Sequence, residues 1–185
     1  MTRWRPVFNP AHLYFVTTTA VGRQSLFKRP VIKRLIVDTI DCMRLRGRFR
    51  MYAFVVMPNH IHLIIHCQEE DPLADCIPDL KKQIADRVVR QYRAEGAKGV
   101  LHALETADTR RSKHGHKVWE DGYDARDVFS PEFMEQKMTY LHHNPCQPHW
   151  DLAERPEDYV WSSARFYLLG EPAIIPVDNI AEYVV

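Results

Sequence analysis

Apolar runs of strand length predict three β-strands in the first third of the chain. Residues 12–19 and 49–57 are rich in aromatic and β-branched side chains, and residues 60–67 place histidines at alternate positions of an aliphatic run. Runs of this length and composition favour strands. Pro58-Asn59 separates the last two, and both residues favour turns, so residues 49–67 are predicted to form a hairpin.

Apolar residues at three- and four-residue steps predict helices between and after these strands. One begins at Pro30 and stops at Gly47, and a second lies near residues 78–94. A third begins at Ser130-Pro131, an N-cap residue followed by proline at the first helical position, and ends near Asn144-Pro145. The proline-rich tail contains one more short helix, near residues 157–169.

The remaining segments have weaker patterns. Residues 96–117 lack periodicity and are rich in basic residues, which predicts a mobile basic loop, and residues 117–129 are predicted to form a strand or an irregular pair of short strands. The resulting order is the βαββαβ pattern of a ferredoxin-like sandwich with an additional C-terminal helix, an α+β fold. A fold of this class does not by itself specify a function.

Length and composition indicate one ordinary globular domain spanning residues 1–185. No apolar run approaches the roughly 20 residues of a membrane span, and the first residues do not resemble a signal peptide. The four cysteines are scattered, as expected for free thiols, so the cytoplasm is the expected compartment. Charge is uneven: the first 50 residues carry 11 Lys/Arg and 2 Asp/Glu, whereas residues 118–185 carry 4 and 13. Such asymmetry is consistent with a nucleic-acid face or with two halves that attract each other.

His60 and His62 are the first candidate chemical pair. Residues two apart on a strand point to the same face, so the two imidazoles lie side by side while Ile61 points into the core. Two adjacent imidazoles suit a divalent metal. The same pattern is also consistent with plain surface histidines, because His66 shares their face by alternation.

Tyr140 and Asn144 are the second candidate pair. They are four residues apart on the predicted third helix and therefore lie on one side of it, at the edge of its apolar stripe. Tyr140 could supply a nucleophilic phenolate and Asn144 a carbonyl oxygen for a metal. The alternative is a half-buried aromatic residue and a helix C-cap before Pro145.

Three motifs together resemble a known family. Met57-Pro58-Asn59-His60-Ile61-His62-Leu63 resembles the histidine–hydrophobic–histidine (HUH) signature of the single-tyrosine transposases. Tyr140-Leu141-His142-His143-Asn144-Pro145 and the later segment 155–163 resemble the tyrosine helix and tail of one branch, the REP-associated tyrosine transposases. The resemblance extends from about residue 10 to residue 168, with the motifs in the same order.

This resemblance implies a metal-dependent endonuclease and strand transferase that acts on single-stranded DNA beside hairpins, without ATP. It implies a catalytic core of about residues 10–146 followed by a tail of residues 147–185. It also implies Tyr140 as the nucleophile, on the additional helix, and His60, His62 and Asn144 as ligands of Mg²⁺ or Mn²⁺. Related transposases often have Gln where this chain has the shorter Asn144.

Partners and alternatives remain open at this stage. The expected partner is single-stranded or hairpin DNA, bound by a monomer or a homodimer, and the arginines expected to contact its phosphates are Arg3, Arg5, Arg44, Arg46, Arg48 and Arg50. One alternative is a non-catalytic hairpin-binding protein on the same fold. Another is a small-molecule metal hydrolase that adds Glu69, Glu70 or Asp71 to the histidine pair.

Overall fold

The computed structural model describes residues 8–107 and 115–183. Within these residues, four antiparallel strands form one sheet in the order β2-β3-β1-β4. The strands are β1 (Leu13–Thr19), β2 (Arg50–Val56), β3 (His60–His66) and β4 (Asp124–Val128). The helices are α1 (Pro30–Leu45), α2 (Leu73–Ala94), α3 (Lys98–Thr106), α4 (Pro131–His143) and α5 (Ala164–Leu169). The predicted α+β, ferredoxin-like arrangement and the hairpin of β2 and β3 are confirmed.

Side-chain alternation in the strands gives the sheet two apolar faces. On β3, Ile61, Leu63 and Ile65 pack with α1, α2 and α3 in the larger core cluster. Ile64 points to the other face and packs with Leu141 of α4. His60 and His62 are in step with Ile64, so the sheet presents them on the α4 side.

The second helix is longer than predicted, because α2 begins at Leu73 rather than near residue 78. Leu73, Cys76 and Ile77 are all buried and extend the apolar stripe that continues at Leu80. Pro78 therefore lies inside the helix, where it removes one backbone hydrogen bond. Burial of the added turn outweighs that loss.

The predicted loop at residues 96–117 is wrong for its first half, since residues 98–106 form α3. Leu104 is fully buried, and Val100 and Leu101 pack against the same core. A helix of nine residues shows too few periods to be recognised from sequence. Residues 108–114 lie outside the described residues.

The segment before α4 and the tail form less regular structure than predicted. Only Asp124–Val128 forms a strand, and Trp119 contributes a single bridge to Ala20. In place of one helix near residues 157–169, there is a 3-10 turn at Pro156–Asp158 and then α5.

The tail covers the free edge of β2. Val56 N–H donates to the Trp161 carbonyl (2.9 Å), and Phe54 N–H donates to the Ser163 hydroxyl oxygen (3.0 Å). The Ser163 hydroxyl also lies 2.9 Å from His142 Nε2 on α4. This segment therefore protects an edge strand and ties α4 to the sheet, which gives Trp161, Ser162 and Ser163 a structural role.

Candidate functional site

The histidine pair begins β3, directly after the hairpin turn. His60 and His62 point to the same face, and their ring centroids are 4.6 Å apart. On β1, Thr17 lies opposite His62 and Thr19 lies opposite His60 in the register. The sheet thus fixes the spacing of the two imidazoles, as the alternation of strand side chains requires.

Helix α4 brings the second pair of residues to the first. Ser130 caps the helix by accepting a hydrogen bond from Phe133 N–H (3.2 Å), and Leu141 is buried against the sheet. Tyr140 stands at the rim, half exposed, with its ring centroid 5.4 Å from that of His62. Asn144 forms the C-cap of α4 and is only 4% exposed. The four candidate residues therefore meet within one chain.

Hydrogen bonds orient the imidazoles with Nε2 toward the cleft. Asn59 Oδ1 lies 2.6 Å from His60 Nδ1, and Thr17 Oγ1 lies 2.9 Å from His62 Nδ1. Asn144 Nδ2 lies 3.2 Å from His62 Nε2. An amide nitrogen can only donate, so His62 Nε2 accepts a hydrogen bond from Asn144. The ring proton therefore lies on Nδ1, which donates a hydrogen bond to Thr17 Oγ1. The lone pair of His62 Nε2 is therefore directed at Asn144, another residue of the cleft.

The electrostatic environment keeps both imidazoles neutral. Burial, reinforced by the charges of Arg23 and His149, lowers the pKa of His60 to about 4. Burial, with the nearby His60 and Lys137, lowers the pKa of His62 well below its usual value. Neutral imidazoles are the form that binds a metal, so no proton has to be displaced at neutral pH.

The four residues line one cleft of about 420 Å³. Its walls include residues that the sequence analysis did not place in a catalytic site, namely Thr17, Arg23, Asn59, Gln147, His149 and Trp150. Asn59 adjoins the histidine motif and could have been suspected from sequence. The others depend on how the chain turns after β1 and after α4, which no local motif indicates.

The donor set of the cleft fits a divalent cation. Within residues 8–107 and 115–183, no group of three or more His, Cys, Asp or Glu side chains is placed to hold a metal. The candidate site instead combines two imidazole nitrogens with an amide, whose oxygen would be the third ligand once the side chain turns over. Amide and phosphate oxygens suit Mg²⁺ and Mn²⁺, and the imidazole pair favours Mn²⁺ of the two.

The acidic residues considered for a hydrolase lie elsewhere. Glu69, Glu70 and Asp71 follow the end of β3 that is farthest from His60. Asp71 is paired with Arg48 at 2.7 Å. They therefore do not join the histidine pair, and this arrangement disfavours the metal hydrolase.

The predicted arginine cluster does not line the cleft. Arg50 lies opposite His66 in the sheet, six residues and about 20 Å along β3 from His60. Arg44 pairs with Asp41 (2.9 Å) and Arg48 with Asp71, whereas Arg46 is exposed. Arg3 and Arg5 lie outside the described residues. Contact of these six arginines with DNA stays a prediction, and Arg23 and Lys137 are cations near the histidine pair.

In the described ranges, no helix has both the length and the hydropathy needed to cross a bilayer.

Solved structures match this chain, whereas a search of curated proteins gives no match. A solved structure described as a REP-associated tyrosine transposase bound to a REP hairpin has 18% identity and a TM-score of 0.61, with 97% of this chain and 93% of that chain covered. A structure of a protein from Deinococcus radiodurans R1, described as a transposase, has 17% identity and a TM-score of 0.45, with 76% and 94% covered.

The first of these structures shares the fold of this chain. The family described as "Transposase IS200 like" matches residues 10–144, which include both histidines, Tyr140 and Asn144. This match covers well over half of the chain. The chain therefore belongs to the IS200-like transposase family.

Proposed function

We propose that this transposase cleaves and rejoins single-stranded DNA next to hairpins through a covalent 5′-phosphotyrosine on Tyr140. The observation that supports this most directly is the approach of Tyr140 to His62 and Asn144 at the rim of one cleft. The REP hairpin bound by the structural relative supports the choice of hairpin DNA as substrate. The proposal takes Tyr140 to act in cis, since a single chain suffices to bring the four residues together.

The chemical step is an exchange of ester bonds at phosphorus. The Tyr140 hydroxyl oxygen attacks in line, the bond from phosphorus to the 3′ oxygen breaks, and the phenolic proton passes to that oxygen, directly or through water. The products are a 5′-phosphotyrosine and a free 3′ hydroxyl. Attack by a 3′ hydroxyl on the phosphotyrosine reverses the exchange and joins DNA. The ester bond is kept throughout, so ATP is not consumed.

His60, His62 and Asn144 would hold the divalent cation. When bound, the cation supplies charge that polarises the non-bridging phosphate oxygens. Asn59 and Thr17 hold the two imidazoles in the tautomer that keeps the proton on Nδ1 and leaves Nε2 unprotonated. Arg23, which lines the same cleft, adds a positive charge that attracts the phosphate.

The proposal is tested by trapping the covalent intermediate. Purified protein is incubated with labelled hairpin DNA from the neighbourhood of its own gene, in Mn²⁺ or Mg²⁺, and resolved on a denaturing protein gel. We expect a labelled adduct that is absent when EDTA replaces the metal. Tight hairpin binding without any adduct would instead support the non-catalytic hairpin-binding protein.

Thr17→Val tests the positioning of His62. Valine has nearly the same shape but does not accept the Nδ1 proton, so the imidazole loses its fixed tautomer. We expect Mn²⁺ affinity, measured by calorimetric titration, to fall by roughly 10- to 100-fold.

Thr19→Val is the matched control for this variant. Thr19 lies on the same strand and also lines the cleft, but it sits opposite His60 and has no side-chain hydrogen bond to either imidazole in the described part of the chain. Its affinity for Mn²⁺ should stay within about twofold of the wild type. Equal losses in the two variants would contradict the positioning role of Thr17.

A further inference from the structure

Three residues form a continuous side-chain row that leads to Tyr140. Phe129 is 67% exposed, and its ring stacks on that of Phe133 at 5.9 Å with an interplanar angle of 15°. Lys137 Nζ lies 4.9 Å from the centre of the Phe133 ring and 5.8 Å from that of Tyr140. Phe133 and Lys137 are four residues apart and therefore share one side of α4, and Phe129, just before the Ser130 cap, joins them through its ring contact with Phe133. We call them the aromatic–lysine stripe.

The stripe has the charge expected of a surface for an anionic chain. Lys137 has no carboxylate partner among residues 8–107 and 115–183, and its Nζ lies over aromatic rings, including Phe15 at 5.2 Å. Arg126 of β4 lies opposite Phe15 in the sheet and is exposed, with Asp124 as its partner at 3.8 Å. Glu135 lines a separate groove on another side of α4.

Phe129 combines a stacking contact with a largely exposed ring. Its ring covers Phe133 but remains mostly in solvent, and the next exposed aromatic along α4 is Tyr140 itself. Exposed aromatic rings beside a cation are the features by which proteins bind single-stranded nucleic acid, because each base offers a π-face and each linkage a phosphate. The rise along α4 from Phe133 to Tyr140 is about 10 Å, which is room for about three stacked nucleotides, and Phe129 extends the row before the helix.

We propose that the aromatic–lysine stripe binds the unpaired DNA strand adjoining the scissile phosphate, with a base stacked on the exposed ring of Phe129, which Phe133 supports, and a backbone phosphate held by Lys137. This inference rests on the proposed function, since it assigns the path of the substrate to the nucleophile. The stripe does not read sequence, because stacking is available to every base.

The stacking part is tested by binding in EDTA, where cleavage does not interfere. Fluorescence anisotropy measures the Kd for three forms of the hairpin. The first is blunt, the second has a four-nucleotide extension on its 5′ or 3′ end, and the third has the same extension made of abasic sites. We expect Phe129→Ala to weaken binding of an extended hairpin by roughly 5- to 50-fold. Binding of the blunt and abasic forms should change less than about twofold, because neither offers a base to stack.

Leu45→Ala is the matched control for this variant. Leu45 is 70% exposed at the end of α1, so its replacement removes a similar exposed apolar group away from α4. It should bind all three forms as the wild type does. The thermal midpoints of both variants should stay close to that of the wild type, since neither side chain is buried.

The charge part is tested by salt dependence. Lys137→Gln should reduce the slope of log affinity against log salt by about 0.7 for the extended hairpin, the value for one lost contact with a single strand. Lys137→Arg should restore the slope, which a merely structural role of the lysine would not predict.

Two outcomes separate this inference from the proposed function. If Phe129→Ala and Leu45→Ala bind every DNA form equally, the stripe is not the binding surface, even when the wild type forms a covalent adduct with the same hairpin in Mn²⁺. If the wild type forms no adduct while Phe129→Ala still loses affinity only for the extended hairpin, the result supports the stripe as a DNA-binding surface and contradicts the proposed catalysis.

Discussion

Tyr140→Phe is expected to abolish the covalent protein–DNA adduct while the affinity for hairpin DNA stays within about threefold of the wild type. The substitution removes only the phenolic oxygen, which is the attacking atom in the proposed exchange. The ring contacts with His62 and Phe15 involve the aromatic face and edge and are therefore retained. In the described residues, no hydrogen bond involves the Tyr140 hydroxyl, so the fold should be unaffected. The yield of adduct in Mn²⁺, measured on a denaturing gel, should fall by at least about 10³-fold.

Tyr183→Phe provides the control for loss of a phenol elsewhere. Its hydroxyl donates to the Ala11 carbonyl, outside the cleft. Adduct formation by this variant should match the wild type. An adduct that persists in Tyr140→Phe at the wild-type yield would place the nucleophile on another residue, which peptide mapping of the adduct would then identify.

The parts of the fold that follow from sequence are those whose signal is local. Alternation along residues 60–66 places both histidines on one face, because the side-chain period of a strand is two whatever the strand packs against. The start of α4 follows from Ser130-Pro131, since the cap and the proline act within one turn. Asn144-Pro145 likewise marks its end.

The parts that sequence does not predict depend on contacts distant along the chain. Helix α3 forms because Leu104 reaches a core made by other elements, which its own nine residues do not reveal. Arg23 and Trp150 line the cleft, although 127 positions separate them in sequence. The predicted DNA contact of the arginine cluster at residues 44–50 rests on charge alone, and charge does not indicate which end of the sheet these residues occupy.

Local and distant information combine at Asn144. Its position before Pro145 predicts a helix C-cap, and its place one turn after Tyr140 predicts a ligand. The backbone ends α4 at Asn144, as the cap requires, and the side chain lies 3.2 Å from His62 Nε2, whereas the ligand role stays a prediction. The side chain of Asn144, although shorter than that of Gln, therefore reaches His62 from the cap position.

His62→Gln is expected to eliminate metal-dependent cleavage, and β3 supplies an unusually close control for it. His62 and His66 lie on the same strand and the same face, four residues and about 13 Å apart. His62 faces Tyr140 and Asn144, whereas His66 contacts the Pro10 carbonyl (2.6 Å) and the Tyr183 ring. Removal of one of three ligands should lower adduct formation by at least about 10²-fold and weaken Mn²⁺ binding in parallel.

His66→Gln removes the same imidazole from the same face but leaves the cleft intact. Its adduct yield and Mn²⁺ affinity should therefore stay within about twofold of the wild type. Strand alternation places His62 and His66 on the same face of β3, so only their distance from α4 distinguishes them. Equal loss of activity in both variants would point to disruption of the strand rather than loss of a ligand, and full activity in His62→Gln would move the metal away from the histidine pair. A loss confined to His62→Gln would tie the chemistry to the end of the sheet where Tyr140 stands.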